Sequence, residues 1–289
     1  MSADLDLTLS LLGEPFVRQA LVAGAVLALM AGLLGPLVVG RQMAFAVHGT
    51  AELAFAGGAG ALLFFGTGAV AWGALGGAVL VALVFGALGL AAHERDSVIG
   101  VLLSFGLGLG VLFQSLYSGR SANKLSLLVG QIVGVDNGDV ISLVATGAVV
   151  VVVLAVIRRP LLFASLDPEM ARARGVPVRG LSVAFAVLLG ATVALGVQIV
   201  GALLVLSLVI TPAAAAARVT ASPVLVSVLA VVFAEVALLG GIVASLAPGL
   251  PISPFVASIA FVTYLVCRVV GARRTRRRAA REPTPIMAG

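Results

Sequence analysis

The sequence predicts an all-α polytopic membrane protein with about nine transmembrane helices, on three observations. Of the 289 residues, 61% are hydrophobic and only 10% are charged. Soluble domains carry roughly 25% charged residues, so this chain cannot coat itself against water. The apolar residues fall in runs near the about 20 residues that one helix needs to cross a bilayer. The 35 glycines lie mostly inside those runs, where small residues let helix backbones approach closely in lipid.

Nine runs follow in order, at roughly 17–40, 44–66, 69–91, 97–117, 138–157, 180–197, 199–217, 223–246 and 254–270. The first is a spanning helix rather than a secretory signal. The residues before it hold Asp4, Asp6 and Glu14 and no basic residue, whereas a signal peptide opens with positive charge. The second and third runs are joined by a tight turn at Gly66-Thr67-Gly68. Runs six and seven are short and separated only by Gly196-Val197-Gln198, which leaves open two tilted spans or one broken one. The pairs Gly73/Gly77 and Gly106/Gly110 have small-xxx-small spacing, read as ordinary helix packing. Cys267, the single cysteine, is a small packing residue in the last run. No internal repeat is visible, which weighs against the common secondary-transporter architectures. Residues 1–271 form one membrane domain and 272–289 a basic cytoplasmic tail.

Charge sets the orientation. With the N-terminus outside and nine crossings, the cytoplasmic ends hold Arg41, Arg95, Arg158, Arg159, Arg172, Arg174, Arg179, Arg218, Arg268 and the six arginines from Arg273 to Arg281. Fifteen of the eighteen basic residues are then inside; only Arg18, Arg120 and Lys124 fall outside. The positive-inside rule selects this arrangement, with the C-terminus cytoplasmic. The arginine cluster from Arg273 directly follows an apolar run, so it reads as a topology anchor and not as a nucleic-acid site. Asp136 and Asp139 lie outside, and Glu94, Asp96, Asp167, Glu169 and Glu282 lie inside.

The longest polar stretch on the cytoplasmic side runs from 158 to 179. Within it, Leu166 to Gly175 reads as a complete short helix. Asp167 caps it, Pro168 takes the first helical position, and Glu169 complements the positive end. Arg172 and Arg174 complement the negative end, Gly175 takes a left-handed terminal conformation, and Pro177 prevents continuation. So short a helix is marginal alone and needs a surface to dock on. It is either a coupling helix seated in an ATPase groove or an amphipathic connector on the headgroups.

Two carboxylates remain inside apolar runs. Glu52 lies eleven residues past Arg41, about 16 Å along a helix, and Glu235 twelve past Pro223, about 18 Å. Carboxylates at such depth are expensive unless paired, metal-bound or wetted, and mark a functional site by default. His48 lies four residues before Glu52, on the same helical face. An imidazole and a carboxylate suit zinc and also accept manganese or iron, and Glu235 could supply a third ligand. The competing reading is a His–Glu pair that locks two helices. His93, beside Glu94, Arg95 and Asp96, reads as part of a solvated turn. The chain has no G-x-x-x-x-G-K-[ST] and one lysine, Lys124, so it builds no Walker A site. With two histidines and one cysteine it offers no convincing catalytic set.

Three stretches carry a family resemblance that runs roughly from 15 to 270. Gly35 to Phe45 is similar to the end of helix one and the "RRMAF" opening of helix two in ZnuB-type permeases of zinc, manganese and iron ABC importers. Leu166 to Pro177 resembles their "DPELARARGLP" loop, which is highly specific, and Val200 to Val205 with Thr211 to Ala216 resembles their "VVGxLLV…PAATA" helix. The resemblance implies a permease subunit of an ATP-driven divalent-metal importer in the plasma membrane, zinc first and manganese or iron next. It implies no permanently bound cofactor. The implied partners are cytosolic ABC ATPases, an extracytoplasmic metal-binding protein and a second permease copy. It favours the coupling-helix reading of 167–175. Family members often carry "GDxxxH" after "MAF", with Asp and His lining the metal path. The matching positions here are His48 and Glu52, so ligand types change and the metal's identity stays open. Glu235 lies in a helix where the family has further path residues, but its assignment rests on depth. The rival expectations are a gradient-driven cation carrier, an ABC permease for a larger ligand such as a siderophore or vitamin, and a structural membrane scaffold.

Overall fold

The computed structural model describes residues 10–88, 92–119, 137–248 and 250–279, and among these there is no strand. The helices are α1 (Pro15–Gly40), α2 (Ala44–Phe65), α3 (Val70–Leu88, entered through a 3-10 turn at Thr67–Ala69), α4 (Ala92–Leu116), α5 (Asn137–Leu166), the short α6 (Pro168–Ala173), α7 (Val178–Val200), α8 (Ala202–Val219), α9 (Pro223–Leu246) and α10 (Ile252–Ala279). Each apolar run of the sequence is therefore a helix. Asp4, Asp6, Arg120, Lys124, Asp136, Arg281 and Glu282 lie outside the described residues.

Among the described residues, seven helical stretches are long and apolar enough to cross a membrane, and α2 is not among them. His48, Glu52 and several glycines hold down the hydropathy of α2. Position compensates for composition in α2. Nearly every residue from Ala46 to Leu62 is buried, so protein surrounds it on all sides.

The helices sort into an inner and an outer set. Two-thirds of the α7 span (67%) is buried within the bundle, against 17% of Ser97–Leu116 in α4. Helix α2 packs chiefly on α3, α4 and α7; α1 packs on α9, α8 and α5; α10 packs on α8 and α9. The outer helices turn apolar side chains outward, such as Phe105 and Leu116 on α4, Val152 and Val156 on α5, and Phe261 and Val266 on α10. Such a surface is stable only under lipid or another subunit. The sequence's glycine pairs mark the inner contacts: Gly73 and Gly77 lie against the backbone of Gly57 and Leu53, and Gly106 and Gly110 against Glu52 and Phe55.

Three boundaries differ from the sequence expectation. Helix α5 does not end near residue 157 but continues through Arg158, Arg159 and Pro160 to Leu166. Leu161 and Ala164 beyond the proline are buried, and that packing outweighs the missing backbone donor. The non-helical part of the polar stretch is correspondingly shorter than 158–179. Helix α4 begins at Ala92, so His93 to Asp96 belong to its first turn and not to a loop; their side chains lie outside the described ones. At the C-terminus, α10 runs on to Ala279, so the first part of the basic tail is helical.

Runs six and seven are two helices, not one, and the break falls at Gly201 rather than at Gly196-Val197-Gln198, which lies inside α7. Gly201 between them has φ +86° and ψ 156°, a conformation open essentially to glycine alone. The bend is sharp, because a Cβ added at Gly196 would come within 2.7 Å of the Val205 side chain. In a continuous helix those residues would stand about 13 Å apart.

Candidate functional site

Helix α2 positions His48 and Glu52. It starts only at Ala44, after the turn Arg41-Gln42-Met43, so Glu52 sits about 12 Å along the helix rather than 16 Å. The two residues share a face, with His48 Nδ1 3.9 Å from Glu52 Oε1. That gap is too long for a hydrogen bond. It is short enough for one ion to reach both atoms at the roughly 2.0–2.2 Å of a metal–nitrogen or metal–oxygen bond. The Glu52 side chain is 4% exposed and that of His48 30%, so the pair has a closed inner end and an open outer one. Gly106 brings α4 close to the Glu52 backbone: a Cβ there would come within 3.0 Å of the Glu52 carbonyl carbon.

The bonding of this pair is incomplete. Among the described residues, the buried side-chain atoms without a hydrogen-bond partner are His48 Nδ1, Glu52 Oε2 and Glu235 Oε2. Leaving a buried polar atom unsatisfied costs about 1–3 kcal/mol, and more when it is charged. These are the three residues that sequence depth and ligand chemistry singled out. Their neighbour Thr50 is satisfied within its own helix, bonding the Ala46 carbonyl at 2.7 Å.

Glu235 does not complete a three-ligand set with that pair. Among the described residues, no three His, Cys, Asp or Glu side chains come together. The cause is packing. Helix α9 is held on α1, with Val231 against Gly32 and with Leu238 and Ile242 against Gly24, whereas α2 is held by α3 and α4. A cavity of about 290 Å³ between α1, α5 and α9, lined by Leu33, Pro36, Leu154, Arg158, Pro223 and Ser227, includes none of the three candidate ligands.

Helix α6 has the local structure its residues dictate. Asp167 adopts an extended backbone and its Oδ1 accepts from the Met170 N–H at 2.9 Å. Pro168 opens the helix, Glu169 lies in the first turn and Arg172 in the last. Gly175, at φ +78°, ends it: its N–H reaches the Arg172 carbonyl and that of Val176 the Ala171 carbonyl, both at 3.0 Å. Ala171 is buried against the bundle, and the Arg174 guanidinium lies 5.8 Å from the Phe163 ring. Leu166 (84% exposed) and Met170 (48%) stand four residues apart, an apolar pair beside exposed Glu169 and Arg172.

Arg41 is the residue whose role the sequence reading missed; there it counted only as a cytoplasmic charge. Its Nε donates to Ser165 Oγ at 2.7 Å, its Nη2 to the Leu161 carbonyl at 3.4 Å, and the guanidinium lies 4.9 Å from the Phe185 ring centroid. Its place in the "RRMAF"-like stretch was the available signal. Its partners are far away in sequence. Arg158 plays a similar part between α5 and α9, donating to Ser227 Oγ at 3.1 Å.

Comparison with known proteins agrees with this architecture. The chain is 29% identical over 236 residues to the manganese transport system membrane protein MntC of Halalkalibacterium halodurans, covering 80% of this chain and 79% of that one. It is 27% identical over 229 residues to the high-affinity zinc uptake system membrane protein ZnuB of Haemophilus influenzae, covering 78% and 86%. Among solved structures it shares its fold with PsaBC from Streptococcus pneumoniae in complex with Fab, at a TM-score of 0.81 and 24% identity, over 92% of this chain and 95% of that one. Residues 14–271 match the ABC 3 transport family. With nearly the whole membrane domain inside that match, the chain belongs to the ABC 3 transport family as a membrane-embedded permease.

Proposed function

We propose that the chain is the membrane-spanning permease subunit of an ATP-driven importer for a divalent metal ion, with zinc the first ion to test and manganese or iron next. The observation that carries this reading is the pair on α2. A buried carboxylate and a half-buried imidazole stand 3.9 Å apart, each with a buried atom that has no hydrogen-bond partner. An ion in transit supplies what those atoms lack, and the modest number of ligands suits a site that must also release it. A nitrogen ligand beside a carboxylate favours zinc over the harder ions. The relatives named for manganese and for zinc support the substrate class. Glu235 is then a second carboxylate on the α9 side of the bundle, separate from the pair.

In this reading the chain crosses the plasma membrane nine times, N-terminus outside and C-terminus in the cytoplasm. Helix α6, through Asp167, Pro168, Glu169, Arg172, Arg174 and Gly175, presents Leu166 and Met170 to a cytosolic ABC ATPase. A second permease copy and an extracytoplasmic metal-binding protein complete the assembly. ATP binding closes the ATPases, α6 moves with them, and the bundle opens alternately to either side. The test is zinc uptake into proteoliposomes holding the permease with its ATPase. Uptake that requires both the ATPase and hydrolysable nucleotide is expected. Uptake by the permease alone, driven by an ion gradient, would make the chain a carrier, and transport of a siderophore without free metal would make it a permease for larger ligands.

A further inference from the structure

We infer that Arg41 is the positioning residue that ties the coupling loop to the metal-site helix, so that movement of α6 is delivered to His48 and Glu52. This inference rests on the importer reading above and adds to it the route by which the two ends communicate.

Two independent observations carry it. The first is the set of contacts. Arg41 sits in the turn between α1 and α2, seven residues before His48. Its guanidinium grips the last turn of α5 through Ser165 Oγ and the Leu161 carbonyl, and it lies on Phe185 of α7. Ser165 Oγ is itself fixed on the Leu161 carbonyl at 2.6 Å, so the acceptor is held in place. Ser165 stands two residues before Asp167, the cap of α6, and α6 packs on both α5 and α7. One side chain thus holds both helices that flank the coupling helix. Neither α5 nor α6 is a principal packing neighbour of α2, so Arg41 supplies a direct polar link between them beside the packing of α7 on α2 and α6.

The second observation is the turn itself. The Gln42 N–H bonds the Val39 carbonyl at 3.1 Å and the Met43 N–H the Val38 carbonyl at 2.9 Å, which forms a Schellman ending for α1. Glycine is usual at its left-handed position, but here it is Gln42, at φ +55°. Among the described residues it is the one non-glycine with positive φ. Such a conformation persists where the surroundings over-determine it, and strain of this kind gathers at switch points. The clamp on Arg41 supplies that constraint. A turn held under strain from one side shifts when its holder moves, and α2 starts one residue beyond it.

The experiment uses the full permease–ATPase complex in proteoliposomes and reads zinc ions transported per ATP hydrolysed, with equilibrium zinc binding measured in parallel. Arg41→Lys keeps the charge but loses the two-point grip and the flat stack on Phe185. Ser165→Ala removes the shortest contact and is mild enough to fold. Both are expected to leave ATP hydrolysis and zinc binding at the wild-type level while zinc moved per ATP falls about tenfold, the scale of one lost charge-assisted hydrogen bond. The double variant should fall no further than the worse single one, since both act through one contact. Hydrolysis and uptake falling in step, with the ratio unchanged, would overturn the inference, as would single effects that multiply in the double variant. A wild-type complex that moves no zinc with ATP would bring down the importer reading together with the clamp. Normal wild-type transport with an unaltered ratio in the variants would bring down the clamp alone.

Discussion

At the scale of single residues, buried polar atoms decide where function lies. Thr50, Thr192 and Ser245 are buried too, but each hydroxyl bonds a carbonyl of its own helix and so needs no ligand. His48 and Glu52 lack that local escape, and this separates them from packing residues. The depth of Glu52 and its spacing from His48 were legible in the sequence, because i and i+4 are neighbours on any helix. The contacts of Arg41 were not, because Ser165 lies 124 residues away and only tertiary packing brings it near. Gln42 gives a prediction at this scale. Glycine adopts φ +55° without the steric cost that Gln42 bears. Gln42→Gly should therefore raise the stability of the detergent-solubilised protein by up to about 1 kcal/mol, read as a higher melting temperature. A lower melting temperature would mean that the turn is not strained.

At the scale of elements, small residues and caps determine what each helix can do. The close approach of α4 to α2 depends on Gly106 beside the Glu52 backbone. Gly106→Val should separate the helices and cost about 1–3 kcal/mol, a drop measurable by thermal melting, whereas the same change at Gly108, which has open space around it, should cost much less. Helix α6 is different: six residues long, it relies on its cap. Asp167→Ala should remove about 1 kcal/mol from it and speed backbone amide exchange over residues 168–175 with little change in melting temperature. Unchanged exchange there would show that docking of Ala171, not the cap, sustains α6. This helix was readable in full from its sequence, since cap, proline and terminal glycine act locally. The end of α5 was not. Arg158, Arg159 and Pro160 look like a boundary, and only the burial of Leu161 and Ala164 carries the helix past them. The break between α7 and α8 was misplaced, at Gly196-Val197-Gln198 instead of Gly201, for a related reason: whether a glycine breaks a helix or merely packs in it depends on its φ, which the sequence does not display.

At the scale of the whole molecule, α1, α2 and α7 form the interior, and the outer helices turn apolar side chains away from it. Composition alone announces the membrane, and charge alone yields the proposed orientation. The low hydropathy of α2 makes sense only once the bundle around it is seen. The orientation is checked with the buried Cys267 replaced by serine and single cysteines introduced at Thr67 and Arg179, both exposed. An impermeant thiol reagent outside intact cells should label Thr67→Cys and not Arg179→Cys; the reverse pattern would invert the topology. The central claim is that an ion passes Glu52 on its way through the bundle. Its most direct test is ATP-driven zinc uptake by the assembled complex carrying Glu52→Gln, which keeps the shape of the side chain and removes its charge. Uptake at least about tenfold below wild type, with the complex intact and ATP still hydrolysed, is the predicted result. Uptake at the wild-type rate would contradict it and leave the buried carboxylate without a role in transport.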